Sequence, residues 1–183
     1  KLGLRLGAYP YPGTRIALGF DRDWISDTAS PLYLPELTDR DISVLYGSLS
    51  VRKTDSPVLP MEGISLDLLL RRGLPVLGAD RSFTTFSTAG EAHLSLDSPF
   101  ALGFLWRGAM DFSGAVDASD SAPLLYKPDL ADRRLFPNPL SAEERIGNLV
   151  AGGGIEAKSR LDRLSRAVQV PAALLLHGAV GLA

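Results

Sequence analysis

The segment Phe100–Phe112 alternates along its whole length with the period of two that belongs to an extended strand. One set of positions reads Phe100, Leu102, Phe104, Trp106, Gly108, Met110 and Phe112; the other reads Ala101, Gly103, Leu105, Arg107, Ala109 and Asp111. The stretch before it repeats the pattern. Phe86, Thr88, Gly90, Ala92, Leu94 and Leu96 fall on one side, with Ser87, Ala89, Glu91, His93, Ser95 and Asp97 on the other. Only Asp97-Ser98-Pro99 lies between them, which is turn chemistry. An antiparallel hairpin over Phe86–Phe112 is therefore the expectation that most restricts the fold.

Similar alternation is read at Leu2–Tyr9, Arg15–Ile25, Ile42–Arg52 and Ile64–Arg71, and more weakly at Leu149–Arg160 and Val170–Leu182. About eight strands result, in an all-β, antiparallel, single domain spanning 1–183, with long loops near 26–41 and 113–147. Two stretches carry helical signals. Ser141-Ala-Glu-Glu144 has the form of a capping box, which predicts a short loop helix over Ser141–Asn148. Ala157, Leu161, Leu164 and Val168 recur at helical spacing, but Gly152-Gly153-Gly154 disfavours a helix, so a strand is expected there.

Period two by itself does not say which face meets water. Three features favour a barrel that spans a membrane. The apolar faces are uniformly large, while the opposite faces mix Gly, Ala, Ser and charge, as a barrel lumen accepts. Phe100–Phe112 would extend about 40 Å at ~3.3 Å per residue, and a tilt of roughly 40° fits that length to a bilayer. Connections also alternate between short (Tyr9–Thr14, Asp97–Pro99) and long (Ser26–Asp41, Ser113–Gly147), as in outer-membrane barrels with short periplasmic turns. A soluble β-barrel that binds an apolar ligand is the competing reading.

No apolar run approaches the roughly 20 residues of a spanning helix. The net charge of −2, with Arg scattered along the chain, argues against a nucleic-acid partner. With no Cys there is neither a disulfide framework nor a thiolate metal site. No cofactor or metal is expected: His93 and His177 are the only histidines, and Asp117, Asp120 and Asp129 are spaced too widely for a calcium loop.

In its alternation, strand length and loop asymmetry most of the chain resembles the bacterial outer-membrane β-barrels. That resemblance implies an outer-membrane location, membrane lipid as a partner, and a role as anchor, pore or translocation conduit. Gly152-Gly-Gly-Ile-Glu-Ala-Lys with Val170-Pro-Ala-Ala-Leu-Leu-Leu also looks like the late strands of barrels that follow β-propeller or patatin-like domains, or that belong to surface-antigen assembly proteins. The Val-Arg-Gly-Phe/Tyr loop motif of the assembly proteins is absent; Trp106-Arg107-Gly108 lies within a strand and is not that motif. Starting from a periplasmic turn at Tyr9–Thr14, eight strands begin and end on the outside. The expectation is an interior portion of a larger barrel, with further strands or domains as partners.

Asp67, Arg71, Glu91, His93, Arg107, Asp111, Glu156 and Lys158 fall on the inner faces and are the expected pore lining. Phe100, Leu102, Phe104, Trp106, Met110 and Phe112 are the expected lipid-facing set, although Trp106 sits mid-strand rather than at an interface. Opposite charges on neighbouring inner faces should pair, since an isolated charge away from water is costly, and Glu91 with Arg107 is the expected cross-hairpin pair. His93 and Ser95, with Glu91 beside them, contain the residue types of a nucleophilic hydrolase. They define an alternative, a lipid or ester hydrolase; the bland reading is a luminal polar network in a protein that is not an enzyme. Pro123, Pro128, Pro137 and Pro139 stiffen the longest loop, which is expected to fold into the lumen or over its mouth.

Overall fold

The computed structural model describes residues 2–24, 41–57, 59–79, 81–97, 99–113, 122, 127–128, 148–160 and 173–182. Eight strands form one sheet, and their order in space is their order in sequence. They are β1 (Leu2–Tyr11), β2 (Thr14–Trp24), β3 (Asp41–Thr54), β4 (Gly63–Gly73), β5 (Phe83–Asp97), β6 (Phe100–Asp111), β7 (Leu149–Arg160) and β8 (Ala173–Leu182). Every neighbouring pair is antiparallel. A single 3-10 turn, Pro75–Leu77, interrupts the described part of the chain. The all-β antiparallel class expected from the alternation is the one found. Among the described residues no ladder joins β1 to β8, so the sheet has two open edges.

The turns follow local chemistry. Pro12-Gly13 reverses the chain between β1 and β2, with Gly13 at φ +74°, where a side chain would be strained and would run into the Arg52 carbonyl. The Gly13 carbonyl accepts from the Arg52 amide at 2.6 Å, binding this turn to β3. Strands extend by one to three residues beyond several expected ends, because pairing continues past the clean alternation. The possible helix at 141–148 and the helical spacing beyond Arg160 lie almost wholly outside the described residues.

Register assigns each residue to a face. Across β1 to β4, Leu6, Leu18, Gly47 and Leu70 form one outer row, and Leu4, Phe20, Leu45 and Arg72 the next. Across β4 to β7 the outer set continues through Ile64, Ala92, Phe104 and Ile155. Many of its members (Leu4, Leu18, Leu70, Phe104, Ile155) are large, apolar and exposed. Strand residues that are buried lie on the other set: Ala17, Ile42, Val44, Phe83, Leu105 and Val150, together with Thr85, His93, Asp111, Glu156 and Lys158. Among the residues whose burial is described, only Ser43 breaks the rule; it faces outward, and its carbonyl accepts from Leu74 of the β4–β5 connection. The distribution is inside-out in its charges: the enclosed set mixes bulky apolar side chains with His93, Asp111, Glu156 and Lys158, while the outward set exposes large apolar side chains. A soluble β-barrel distributes them the other way.

Trp106 has a specific seat on the outer face. It lies between Gly90 on β5 and Gly153 on β7, and its ring occupies the space a Gly90 side chain would need. Its indole N–H donates to Thr88 Oγ1 at 3.4 Å, so the polar atom has a protein partner at mid-strand.

Candidate functional site

The inner face is obstructed at two levels. At the end with the short connections, β5, β6 and β7 bring four titratable side chains together. His93 is opposite Gly103, and Gly103 is opposite Glu156 on β7. A side chain at Gly103 would begin 2.9 Å from His93 Nδ1 and 3.3 Å from a Glu156 oxygen, so the bare glycine makes room for both groups. Lys158, two residues on and on the same face, turns its ammonium into the cluster. Its Nζ lies 3.2 Å from Glu156 Oε2 and 3.2 Å from His93 Nδ1. With the ammonium donating to Nδ1, the ring proton belongs on Nε2. That nitrogen is 3.3 Å from Glu91 Oε2, close enough for electrostatic contact without hydrogen-bond alignment.

The same ammonium donates to the carbonyl of Pro60 at 3.3 Å. Pro60 belongs to the connection between β3 and β4, so Lys158 links opposite parts of the sheet. This connection is internally braced: Asp55 Oδ1 accepts from the amides of Met61 at 2.9 Å and Glu62 at 3.1 Å, and the Asp55 amide donates to the Glu62 carbonyl. Pro60 and Met61 are buried. A hairpin tip thus folds inward and is pinned by a buried cation.

At the other end the buried carboxylate is Asp111, with 0% exposure. Its Oδ2 accepts from the Ala122 amide at 2.6 Å and its Oδ1 from Ser113 at 3.1 Å. The Thr84 amide donates to Ser113 Oγ, and the Phe112 amide to the Thr84 carbonyl. Ala122 packs in one apolar cluster with Ile42, Val44 and Phe83, all on the inner face of β3 and β5. The loop following β6 therefore enters the mouth at Ala122, and Pro128 is buried as well.

The remaining expected lining residues also fall on the inner set. Asp67 is opposite Ser50 and Ala89, with Oδ2 3.9 Å from Arg52 Nη2 in a largely exposed pair. Arg71 is opposite Tyr46 and Thr85. Glu91 is opposite Leu105, and Arg107 is opposite Ala89 and Gly152, so the expected Glu91–Arg107 partners are diagonal rather than directly paired. A cavity of about 430 Å³ persists between the hairpin and the wall, lined in part by Arg52, Ser65, Asp67, Glu91 and Leu105.

Phe100, Leu102, Phe104, Trp106 and Met110 fall on the outer set, and Phe112 lies one residue past the end of β6. Ser95 is on the inner face opposite Ala101, beside a bulge, and is exposed. His93 is turned to Lys158 and Glu91 and makes no hydrogen bond to Ser95, so the relay a hydrolase needs is not assembled. His177 is opposite Glu156 in the ladder, and its side chain is outside the described residues.

Pro60, Met61, Gly103 and Ala122 were not singled out by the sequence. Nothing local in the sequence between β3 and β4 says that this connection folds inward.

No known protein family matches the sequence, and no curated protein matches it either. Among solved structures, the fold is similar to one described as the crystal structure of BamA from Haemophilus ducreyi lacking POTRA domains 1–3, with a TM-score of 0.65 at 14% identity. The match covers 98% of this chain and 41% of that one, so the chain spans about two fifths of that structure's length. At this identity the likeness concerns the fold.

Proposed function

We propose that this protein forms wall strands of a bacterial outer-membrane β-barrel and serves there as a membrane anchor with an occluded lumen. The observation that carries the reading is the inside-out sheet: its exposed face is apolar through the middle of the strands, with charge only near their ends, while its enclosed face holds Asp111, Glu156 and Lys158. Bilayer hydrocarbon suits the first face, and the second needs a polar interior. Two internal closures, Pro60 held by Lys158 and Ala122 held by Asp111, favour an anchor over an open pore or conduit.

Open sheet edges do not stand in hydrocarbon, because unpaired N–H and C=O groups cost several kcal/mol each there. The free edges of β1 and β8 therefore call for further strands as partners, either in the same barrel or from another copy. The outer membrane is the location we assign, with the long-connection end facing outward.

Three measurements test this. The purified protein should require detergent to remain in solution and should migrate faster on gels before boiling than after. In a planar bilayer it should be electrically silent; steady conductance would replace the anchor with a pore. Solubility without detergent would remove the membrane reading altogether.

A further inference from the structure

The outer face carries one feature that a lipid-facing wall does not require. Gly47 on β3 lies in the row Leu6–Leu18–Gly47–Leu70, where its neighbours on both sides are leucines. Lacking a side chain, it leaves a groove of about 520 Å³ between Leu18, Phe20, Leu45 and Leu70. The lining is almost wholly apolar, and one cation belongs to it: Arg72, exposed, and opposite Leu45 in the next row toward the long connections.

An outward-facing guanidinium is costly in mid-bilayer and much less so near the interface. Arg72 is the penultimate residue of β4, at the level where strands give way to the long connections. Thr84, its neighbour across the β4–β5 ladder, adds a hydroxyl beside it. Arg22 is also outward and one row farther from the groove, where Nη2 lies 3.4 Å from Asp41 Oδ2. A long apolar groove that ends at the Arg72 cation complements one kind of molecule. It is an amphiphile whose acyl chain lies along the wall and whose anion stands at the rim.

We propose that the outer face of β1–β4 binds a phosphorylated, acylated lipid of the leaflet on the long-connection side. The acyl chain fills the groove at Gly47, and the phosphate pairs with Arg72. A planar guanidinium is the cation best matched to two phosphate oxygens at once. This rests on the membrane reading above.

The test uses the full chain in a neutral detergent, with native mass spectrometry to count retained lipid. The probes are a bis-phosphorylated lipid A, the same lipid with its phosphates removed, and inorganic phosphate. Wild type should retain the phosphorylated lipid selectively. A charged hydrogen bond is worth a factor of roughly ten or more, so Arg72→Gln should lower retention about tenfold, while Arg72→Lys should lose less. Gly47→Phe should also cut retention by filling the groove.

Equal retention of the dephosphorylated lipid, or no change in Arg72→Gln, would mean that only ordinary annular lipid adheres there. Inorganic phosphate binding that Gly47→Phe leaves intact, without lipid selectivity, would reduce the site to an anion contact and overturn the proposal. Each variant is first checked for heat-modifiable migration. A wild type that lacks it refutes the barrel itself, whereas a heat-modifiable wild type without selective retention refutes only the lipid site.

Discussion

The ammonium of Lys158 lies 3.3 Å from the carbonyl oxygen of Pro60, joining the seventh strand to a connection 98 residues earlier in the chain. Lys158 also faces Glu156 at 3.2 Å, and both side chains are nearly sealed from solvent, at 4% and 5% exposure. Removing one member of a buried ion pair leaves the other uncompensated, at about 3–5 kcal/mol. Lys158→Met should therefore destabilise vesicle-inserted protein by about 3 kcal/mol or more in urea unfolding. It should also release the hairpin tip, seen as new protease cleavage within 55–62. An unchanged unfolding midpoint would show that the bridge holds nothing.

Gly103 offers a steric probe of the same cluster. An added Cβ begins 2.9 Å from the His93 ring, which is tighter than real contacts allow, and Glu156 stands 3.3 Å away on the other side. His93 is enclosed and has little space to withdraw into. Gly103→Val should thus cost about 1–3 kcal/mol through overpacking. Gly108, an outer-face glycine whose nearest side-chain neighbour is 3.5 Å from an added Cβ, should accept alanine with a much smaller loss. Equal losses at the two sites would show that the cluster is not packed around Gly103.

How much of this could be read from the chain follows from the symmetry of its pattern. Alternation at Phe86–Phe112 names a face for every residue, and that assignment survives in the structure from Phe86 to Ser95 and from Phe100 to Met110. The pattern is unchanged when one strand slides by two residues, however, so it does not choose partners. Glu91 and Arg107, the expected cross-hairpin partners, stand on a diagonal, with Glu91 opposite Leu105 and Arg107 opposite Ala89. The bulge between Ser95 and Asp97 shifts the register at the turn, and period two does not reveal it. The closures at Pro60 and Ala122 were harder still to foresee. Each depends on where a connection folds after the wall has formed, and no local periodicity encodes that.

Asp111 makes the second closure testable. Its two oxygens accept from the amides of Ser113 and Ala122, and it is fully buried. Asp111→Ala leaves both donors without that acceptor, and an unsatisfied buried amide costs about 1–3 kcal/mol. Asp111→Asn keeps one accepting oxygen and should retain one of the two contacts. Hydrogen exchange at Ala122 is the direct readout: protection should fall by tenfold or more in Asp111→Ala, and by less in Asp111→Asn. If protection is the same in all three proteins, the loop is held by the apolar contacts of Ala122 with Ile42, Val44 and Phe83 instead.

The membrane face can be tested by depth, with residues of matched exposure. Ile155 faces outward and Leu96 sits at the β5 bulge, and the two are nearly equally exposed, at 56% and 54%. In water, arginine at either would be almost neutral, since exposed surface substitutions usually fall within about 0.5 kcal/mol. In a bilayer the two sites separate. Ile155 lies in the middle of β7 between Phe104 and Gly178, while Leu96 is one residue from the end of β5. A lipid-facing arginine costs about 2–4 kcal/mol at the midplane and about 0–1 kcal/mol near the interface. Ile155→Arg should therefore lose a few kcal/mol of stability in lipid vesicles, and Leu96→Arg little. Equal tolerance at both positions would mean that the face is wet, and the barrel would not span a membrane.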